Sequence, residues 1–317
     1  MKSLKLKLKK NIKPLKLKLR RILFGMKFTD GLVFKVFIYG LLIILAFVYL
    51  YPLLHMLSYS FQSVEDLLNP MVNQVPTKLY FKNYQDAFFV LNCFETMTTS
   101  LTVTLIPALI QTVIASLVGY GFARFEFKGK RVWMLLVVAT YIIPPQVTMI
   151  PRYVLFHKLG FLENALSIIV PATFGQGLNS AIFILIFYHF FKQIPKALDE
   201  AAQIDGANPL YIYFRVSVPL SIPSFVTSFL FSFVWYWNET YISSLFMGSK
   251  NPTLQMMLQN FVSAYKAAMG GTGEMAVANE AVRMAATLLI MLPMLIIYFI
   301  LQRWFIEGID KAGITGE

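Results

Sequence analysis

The chain has 317 residues, 57% of them hydrophobic and 14% charged, with a mean hydropathy of +0.62. A soluble domain is about 45–50% apolar and about 25% charged, so these figures exclude a disordered chain, a disulfide-rich secreted module and most soluble enzymes, and they point to the membrane. The formal charge of +12 sits largely at one end: residues 1–32 hold 11 Lys/Arg against Asp30 alone, while the other 17 basic residues face 15 acidic ones, so the folded body lacks the basic surface of a nucleic-acid binder. Cys93 is the single cysteine and has no intrachain disulfide partner.

Residues 1–32 read as a basic cytoplasmic tail. Lys and Leu alternate through its first half, but Pro14 interrupts the alternation and no partner strand is evident. A solvated tail that reinforces topology is one reading; adhesion to anionic lipid, at about 1 kcal/mol per basic residue near the surface, is the other. The tail is not read as a cleavable signal, because the apolar run from Val33 is too long and no small-residue cleavage site follows.

Crossing about 30 Å of hydrocarbon takes about 20 mostly apolar residues. Six such runs follow: Val33 to Leu57, Met97 to Phe122, Val132 to Ile150, Leu166 to Phe191 with an interruption at Gly175-Gln176-Gly177, Pro223 to Phe246, and Val282 to Trp304. The predicted organisation is therefore an all-α polytopic membrane protein with six transmembrane helices. A first helix (33–57) and an external loop (58–96) precede a five-helix core (97–304) that contains a cytoplasmic loop (192–222), and residues 305–317 form a C-terminal tail. Counting Lys/Arg places both termini in the cytoplasm: segments 1–32, 123–131, 192–222 and 303–317 carry 20 basic residues, against 6 in loops 58–96, 151–165 and 247–281. On this orientation Trp133 and Trp304 fall at the inner interface and Trp235 and Trp237 towards the outer one.

No G-x-x-x-x-G-K-[ST] phosphate loop occurs; Gly270-Gly271-Thr272-Gly273 is glycine-rich but lacks the lysine. His55, His157 and His189 lie near different span ends, with no metal-ligand spacing. No catalytic constellation is apparent, so the chain is expected to be non-catalytic, with no cofactor or metal of its own. The spans hold almost no ionisable groups at mid-depth, which argues against proton or voltage coupling.

The most informative stretch is Ile194-Pro195-Lys196-Ala197-Leu198-Asp199-Glu200-Ala201-Ala202-Gln203-Ile204-Asp205-Gly206-Ala207. Pro195 suits a first helical turn. Ile194, Ala197, Leu198 and Ala201 form one apolar face, and Lys196, Asp199, Glu200 and Gln203 the other. Asp205-Gly206 is a stop signal, and Asn208-Pro209 reads as an N-cap opening a second short helix. A helix–turn–helix on the cytoplasmic face, with carboxylates on show, is a docking element for a partner; an amphipathic helix lying on the membrane surface is the alternative.

Glu200-Ala201-Ala202, Asp205-Gly206-Ala207, Pro219-Leu220 and Pro223 resemble the EAA loop of binding-protein-dependent ABC transporter permeases. Phe191-Lys192-Gln193-Ile194-Pro195 before it fits the same pattern. Gly119-Tyr120-Gly121-Phe122-Ala123-Arg124-Phe125, Trp237-Asn238-Glu239 and Gln302-Arg303-Trp304-Phe305-Ile306-Glu307-Gly308 resemble the maltose-type carbohydrate subfamily, with weaker similarity at Phe81-Lys82-Asn83-Tyr84. The resemblance covers residues 76–317; the Lys/Leu tail lies outside it.

The resemblance implies a permease subunit that forms half of a translocation pathway with a second, similar permease. Two ATP-binding subunits, which use ATP and Mg, would receive the EAA helices, and an extracellular binding protein would deliver the sugar. Glu200, Ala201, Ala202, Asp205, Gly206 and Ala207 become the ATPase-coupling residues, with Glu200 making an ionic contact and Gly206 setting the turn. It also implies a bacterial plasma membrane location and a C-terminal tail, Gly308 to Glu317, that reaches between the ATPases or else frays.

Ser224, Ser228 and Ser232 recur every fourth residue in span five, continued by Trp235 and Glu239. Ser100, Thr104, Ala108, Gln111 and Thr112 line one face of span two, with Pro107 suggesting a kink. Small residues at this spacing suit helix packing. The alternative is a pathway lined by Ser228, Ser232, Trp235, Asn238, Glu239, Thr104 and Gln111, whose hydroxyl, amide, carboxylate and aromatic groups suit sugar recognition. A secondary active transporter of a polar solute is the rival class; it would show internal repeats and charges near mid-membrane, and only the break at Gly175 and Gly177 speaks for it.

Overall fold

A computed structural model of the chain describes residues 23, 31–72, 74–269 and 275–314, with backbone alone for 275–279 and 305–314. Most of the basic tail, the glycines at 270–273 and residues 315–317 lie outside the described residues. The chain divides into two compact units, one up to Leu79 and one from Tyr80 onward.

In the first unit, α1 (Leu32–Ser60) is 29 residues long and has no buried residue across its most apolar stretch. At 1.5 Å per residue it exceeds the hydrocarbon thickness, and its uniformly apolar surface suits lipid on all sides. Ser63 then caps the short α2 (Val64–Leu68) by accepting from the Asp66 N–H at 3.2 Å. Buried Asp66 in turn accepts from the Thr77 hydroxyl at 2.6 Å, closing the following loop.

The second unit is built round α4 (Cys93–Arg124), 32 residues long and unbroken through Pro107. It is preceded by α3 (Lys82–Val90), which packs on the last long helix. In lipid no hydrophobic force draws helices together, so they associate through close packing of small residues. The buried face of α4 follows that rule, with Ser100, Thr104, Ala108, Gln111, Thr112, Ala115, Ser116 and Gly119. At Gly119 the approach is tightest: an added Cβ would lie 2.7 Å from Phe187 Cβ and 2.9 Å from the Tyr188 nitrogen.

Two expected spans are not single helices. The third comprises α5 (Lys130–Ile142) and α6 (Pro145–Leu159), bent by 94°. Pro144 and Pro145 supply no N–H to continue the ladder, and the residue before a proline is pushed out of the helical region; Ile143 accordingly sits at ψ 121°. The fifth is α12 (Ile222–Asn238) followed, after Glu239 and Thr240, by α13 (Tyr241–Met247). The fourth is interrupted where expected, between α7 (Leu166–Thr173) and α8 (Ser180–Gln193), with Gly175 at φ +68° and Asn179 at φ +52°. The cytoplasmic loop carries α9 (Lys196–Ile204), α10 (Pro209–Ile212), a π-helical turn (Tyr213–Ser217) and α11 (Val218–Leu220). After α14 (Leu254–Gln259) and α15 (Phe261–Met269), α16 (Met275–Ile314) runs 40 residues, well beyond both expected ends of the sixth span. Among the described residues three helices are long and apolar enough to cross a membrane, or up to six crossings if the bent pairs α5–α6, α8–α9 and Pro209–Leu220 with α12 each count as one.

Trp237 is not an interfacial belt residue. It is 2% exposed and stacks on Phe233 at 5.7 Å, while Trp235 packs against Phe183 at 5.1 Å.

Candidate functional site

The helix–turn–helix of the cytoplasmic loop forms as its local sequence dictates. Pro195 precedes the first turn of α9, and Gly206 ends the helix at φ +84°. The Ala207 N–H reaches the Ala202 carbonyl at 2.9 Å and the Gly206 N–H reaches that of Gln203 at 3.0 Å, which is the Schellman closure with glycine at the left-handed position. Asn208 then caps α10, its side chain accepting from the Tyr211 N–H at 2.8 Å. The π-helical turn that follows carries one residue more per turn than an α-helix, a local feature common at functional sites and without a signal in the sequence pattern.

Two anchors fasten this knuckle to the helical body. Arg124, in the last turn of α4, brings Nε to 3.0 Å from Asp199 Oδ2, with side chains 5% and 13% exposed. The Nε–H is not aligned with that oxygen as a hydrogen bond, so the pair is an ionic contact. Arg124 Nη1 also donates to the Ile194 carbonyl at 3.1 Å. The second anchor is Tyr213, whose hydroxyl lies 2.5 Å from the Ser116 hydroxyl and whose ring packs edge-on to Tyr120 at 5.0 Å. Burial pushes the Tyr213 phenol above its ordinary pKa, so it stays neutral.

These anchors turn one carboxylate of α9 inward and leave most of its apolar face open, while Lys196, Glu200 and Gln203 stay exposed. Ile194 is buried, but Ala197, Leu198 and Ala201 are exposed, and Asp199 turns inward to Arg124. The outer face thus combines Glu200, Asp205 and Gly206 with apolar side chains: Leu198, Leu210, Tyr211, Phe214, and Ile204 at 87% exposed. Ala202 and Ala207 are half-buried at the hinge of the turn. A surface with this much apolar area round two carboxylates has the chemistry of a protein docking site.

The residues set out as pathway candidates do not share one open face. Thr104, Gln111, Ser228 and Ser232 are buried within this chain, the two serines completely. Both serine hydroxyls lack a hydrogen-bond partner among the described residues, as expected of small groups admitting close helix packing. Trp235 is half-buried against Phe183. Asn238 is exposed, but its amide donates back to the Val234 carbonyl at 2.9 Å. Glu239 accepts from the Ile242 N–H at 2.5 Å and so closes the first turn of α13.

Gln111 has a definite partner set instead. Its amide donates to the Leu178 carbonyl at 2.8 Å and accepts from the Tyr236 hydroxyl at 2.9 Å, while that hydroxyl accepts from the Leu178 N–H at 3.1 Å. One side chain from α4 and one from α12 therefore hold the interruption of span four. Gly177 lies against both; a Cβ there would overlap Gln111 and Tyr236.

Broken apolar spans round a long central helix, with a folded knuckle projecting from one end, define a multi-pass membrane protein. Residues 111–311 match the family described as binding-protein-dependent transport system inner membrane component, and the chain belongs to that family. It is 29% identical to the polygalacturonan/rhamnogalacturonan transport system permease protein YtcP of Bacillus subtilis, over 89% of this chain and 98% of that protein. It is 25% identical to the arabinooligosaccharides transport system permease protein AraQ of Halalkalibacterium halodurans, over 86% of this chain and 93% of that one. A chain in the crystal structure of a bacterial ABC transporter involved in import of the acidic polysaccharide alginate has the same fold, with TM-score 0.70 and 23% identity over 86% of this chain and 96% of that chain.

Proposed function

We propose that this chain is the permease subunit of an ATP-driven carbohydrate importer in a bacterial plasma membrane, carrying an oligosaccharide. The observation behind this reading is the α9–α10 knuckle, folded, anchored to α4 and presenting Glu200, Ile204, Asp205 and Gly206 outward. A surface of that kind needs an occupant, and in a binding-protein-dependent system the occupant is a cytoplasmic ATPase. The chain pairs with a second permease to enclose the pathway, two ATPase subunits supply the ATP and Mg chemistry, and an external binding protein delivers the sugar. Both termini are cytoplasmic. Closure of the ATPases moves the knuckle, and Arg124–Asp199 and Ser116–Tyr213 carry that movement into α4. The cargoes named for YtcP, AraQ and the alginate transporter support a saccharide, and family membership leaves the secondary transporter without support.

The test is uptake of a labelled oligosaccharide into vesicles holding the complete complex. Uptake should require ATP and loaded binding protein, and should stop when the ATPase is catalytically dead. Uptake driven by an imposed proton or sodium gradient without the ATPase would refute this reading.

A further inference from the structure

A polar cavity among the described residues has no part in the coupling reading. It measures about 220 Å³ and lies where the bend of span three meets the interruption of span four, lined by Thr140 and Tyr141 of α5, Thr148 and Arg152 of α6, and the residues from Gly175 to Ala181. Arg152 is half-buried there and takes part in none of the ion pairs or side-chain hydrogen bonds among the described residues. A guanidinium withdrawn from water is costly unless a counter-charge meets it. No aspartate or glutamate lines the cavity. Two helices open onto it by their N-termini instead: α8, of 14 residues, through Asn179 and Ser180, and α6, of 15 residues, through Pro145. The N-terminal end of a helix carries partial positive charge, so each of these features adds to the positive potential.

The position also fits a transport role. From its cytoplasmic end α8 rises about 21 Å at 1.5 Å per residue, less than the hydrocarbon thickness of about 30 Å. An ionisable side chain at such a depth marks a ligand or ion path by default. Gln176, Asn179, Thr140 and Thr148 add amide and hydroxyl groups able to meet sugar hydroxyls. A single cation matches a single negative charge, and a guanidinium fork matches a carboxylate.

Resting on the importer reading above, we infer that this cavity is a carboxylate subsite, and that the oligosaccharide carried contains uronic acid units. Arg152 is the group that holds the carboxylate. The complete complex, reconstituted in vesicles with its binding protein, is tested with trigalacturonate and with its fully methyl-esterified, uncharged form. Comparing variant with wild type for each probe cancels the preference of the binding protein. Arg152→Gln should lower trigalacturonate uptake at least about tenfold, the scale of a lost charge-assisted contact, and ester uptake by less than about twofold. Arg152→Lys should fall between. Thr148→Asp, which places a carboxylate beside Arg152, should reproduce the selective loss.

Wild-type trigalacturonate uptake by Arg152→Gln would overturn the inference. So would equal loss of both probes, or failure of that variant to assemble, since Arg152 would then hold an acid of the partner permease or a lipid phosphate. Wild type carrying the ester alone would overturn it too, leaving the carbohydrate reading intact. Wild type carrying neither these nor any neutral oligosaccharide would remove the carbohydrate reading and the subsite with it.

Discussion

Arg124 at the end of α4 and Asp199 in the first turn of α9 form an ion pair of 3.0 Å that is almost closed to solvent. Removing one member of such a pair leaves the other charge buried, at a cost of about 3–5 kcal/mol, whereas replacing both by apolar residues of similar size is often neutral. Asp199→Ala should therefore lower the melting temperature of the detergent-solubilised complex and loosen the knuckle. Arg124→Met combined with Asp199→Leu should restore much of the stability. Binding-protein-stimulated ATP hydrolysis in the double variant then reports whether the charges themselves, or only the packing, couple α9 to α4. An Asp199→Ala protein as stable as wild type would show that the pair is not structural.

A second prediction concerns the Gln111–Tyr236 node. Tyr236→Phe removes the donor to buried Gln111, at about 1–3 kcal/mol, and the acceptor for the half-buried Leu178 N–H. Gly177→Ala overfills the same point, where cores lose about 1–3 kcal/mol per forced insertion. Both should melt earlier than wild type. Gly121→Ala, which meets nothing within 4 Å, is the neutral control. Equal melting of all three would mean that the interruption of span four does not rest on Gln111 and Tyr236.

What could be read from the sequence was local. Run length located the long helices, because crossing lipid demands apolar length. Pro195, Gly206 and Asn208 marked the ends of α9 and α10, because caps and left-handed turns need particular residues. That Asp199 points inward was not legible: it depends on Arg124, far away in the chain, and the apolar residues Ala197-Leu198-Ala201 stay open because a protein partner, like a core, favours apolar side chains. The bend at Pro144-Pro145 had a visible signal in the paired prolines, masked by the apolar residues on both sides. The break at Glu239 had none, since a carboxylate that closes the next helix looks the same in sequence as one lining a path. Arg152 counted only as a loop cation until the folded break of span four was set beside it.

Topology is tested by labelling. Lys78, Lys128 and Lys250 are all exposed on the chain, so single cysteines there should report the side of the membrane and not burial. With both termini cytoplasmic, Lys78→Cys and Lys250→Cys should react with an impermeant thiol reagent in intact, wall-permeabilised cells, and Lys128→Cys only after lysis. Native Cys93 is buried and should stay silent, which replacing it checks. Reaction at Lys128 with protection at Lys78 would invert the orientation.

The last prediction isolates the turn of the knuckle. Gly206 has φ +84°, and nothing lies within 4 Å of where its Cβ would stand. A side chain there meets no neighbour, so the strain is that of the backbone alone, about 1–2 kcal/mol for a residue with Cβ and more for a β-branched one. Relieving it rotates Ala207 away from the Ala202 carbonyl, opens the Schellman closure and tilts the helix that presents Glu200. The spans are untouched, so Gly206→Val should insert and pair with its partner permease in normal amount. ATPase binding should weaken, or ATP hydrolysis should continue without responding to loaded binding protein. Gly206→Ala should show the same defect in smaller degree, and Glu200→Lys a mild one, because it reverses one exposed charge and leaves the turn closed. The measurement is stimulated ATP hydrolysis together with sugar uptake at equal complex content. Wild-type stimulation and uptake by Gly206→Val would show that the α9–α10 knuckle is not where the ATPase acts.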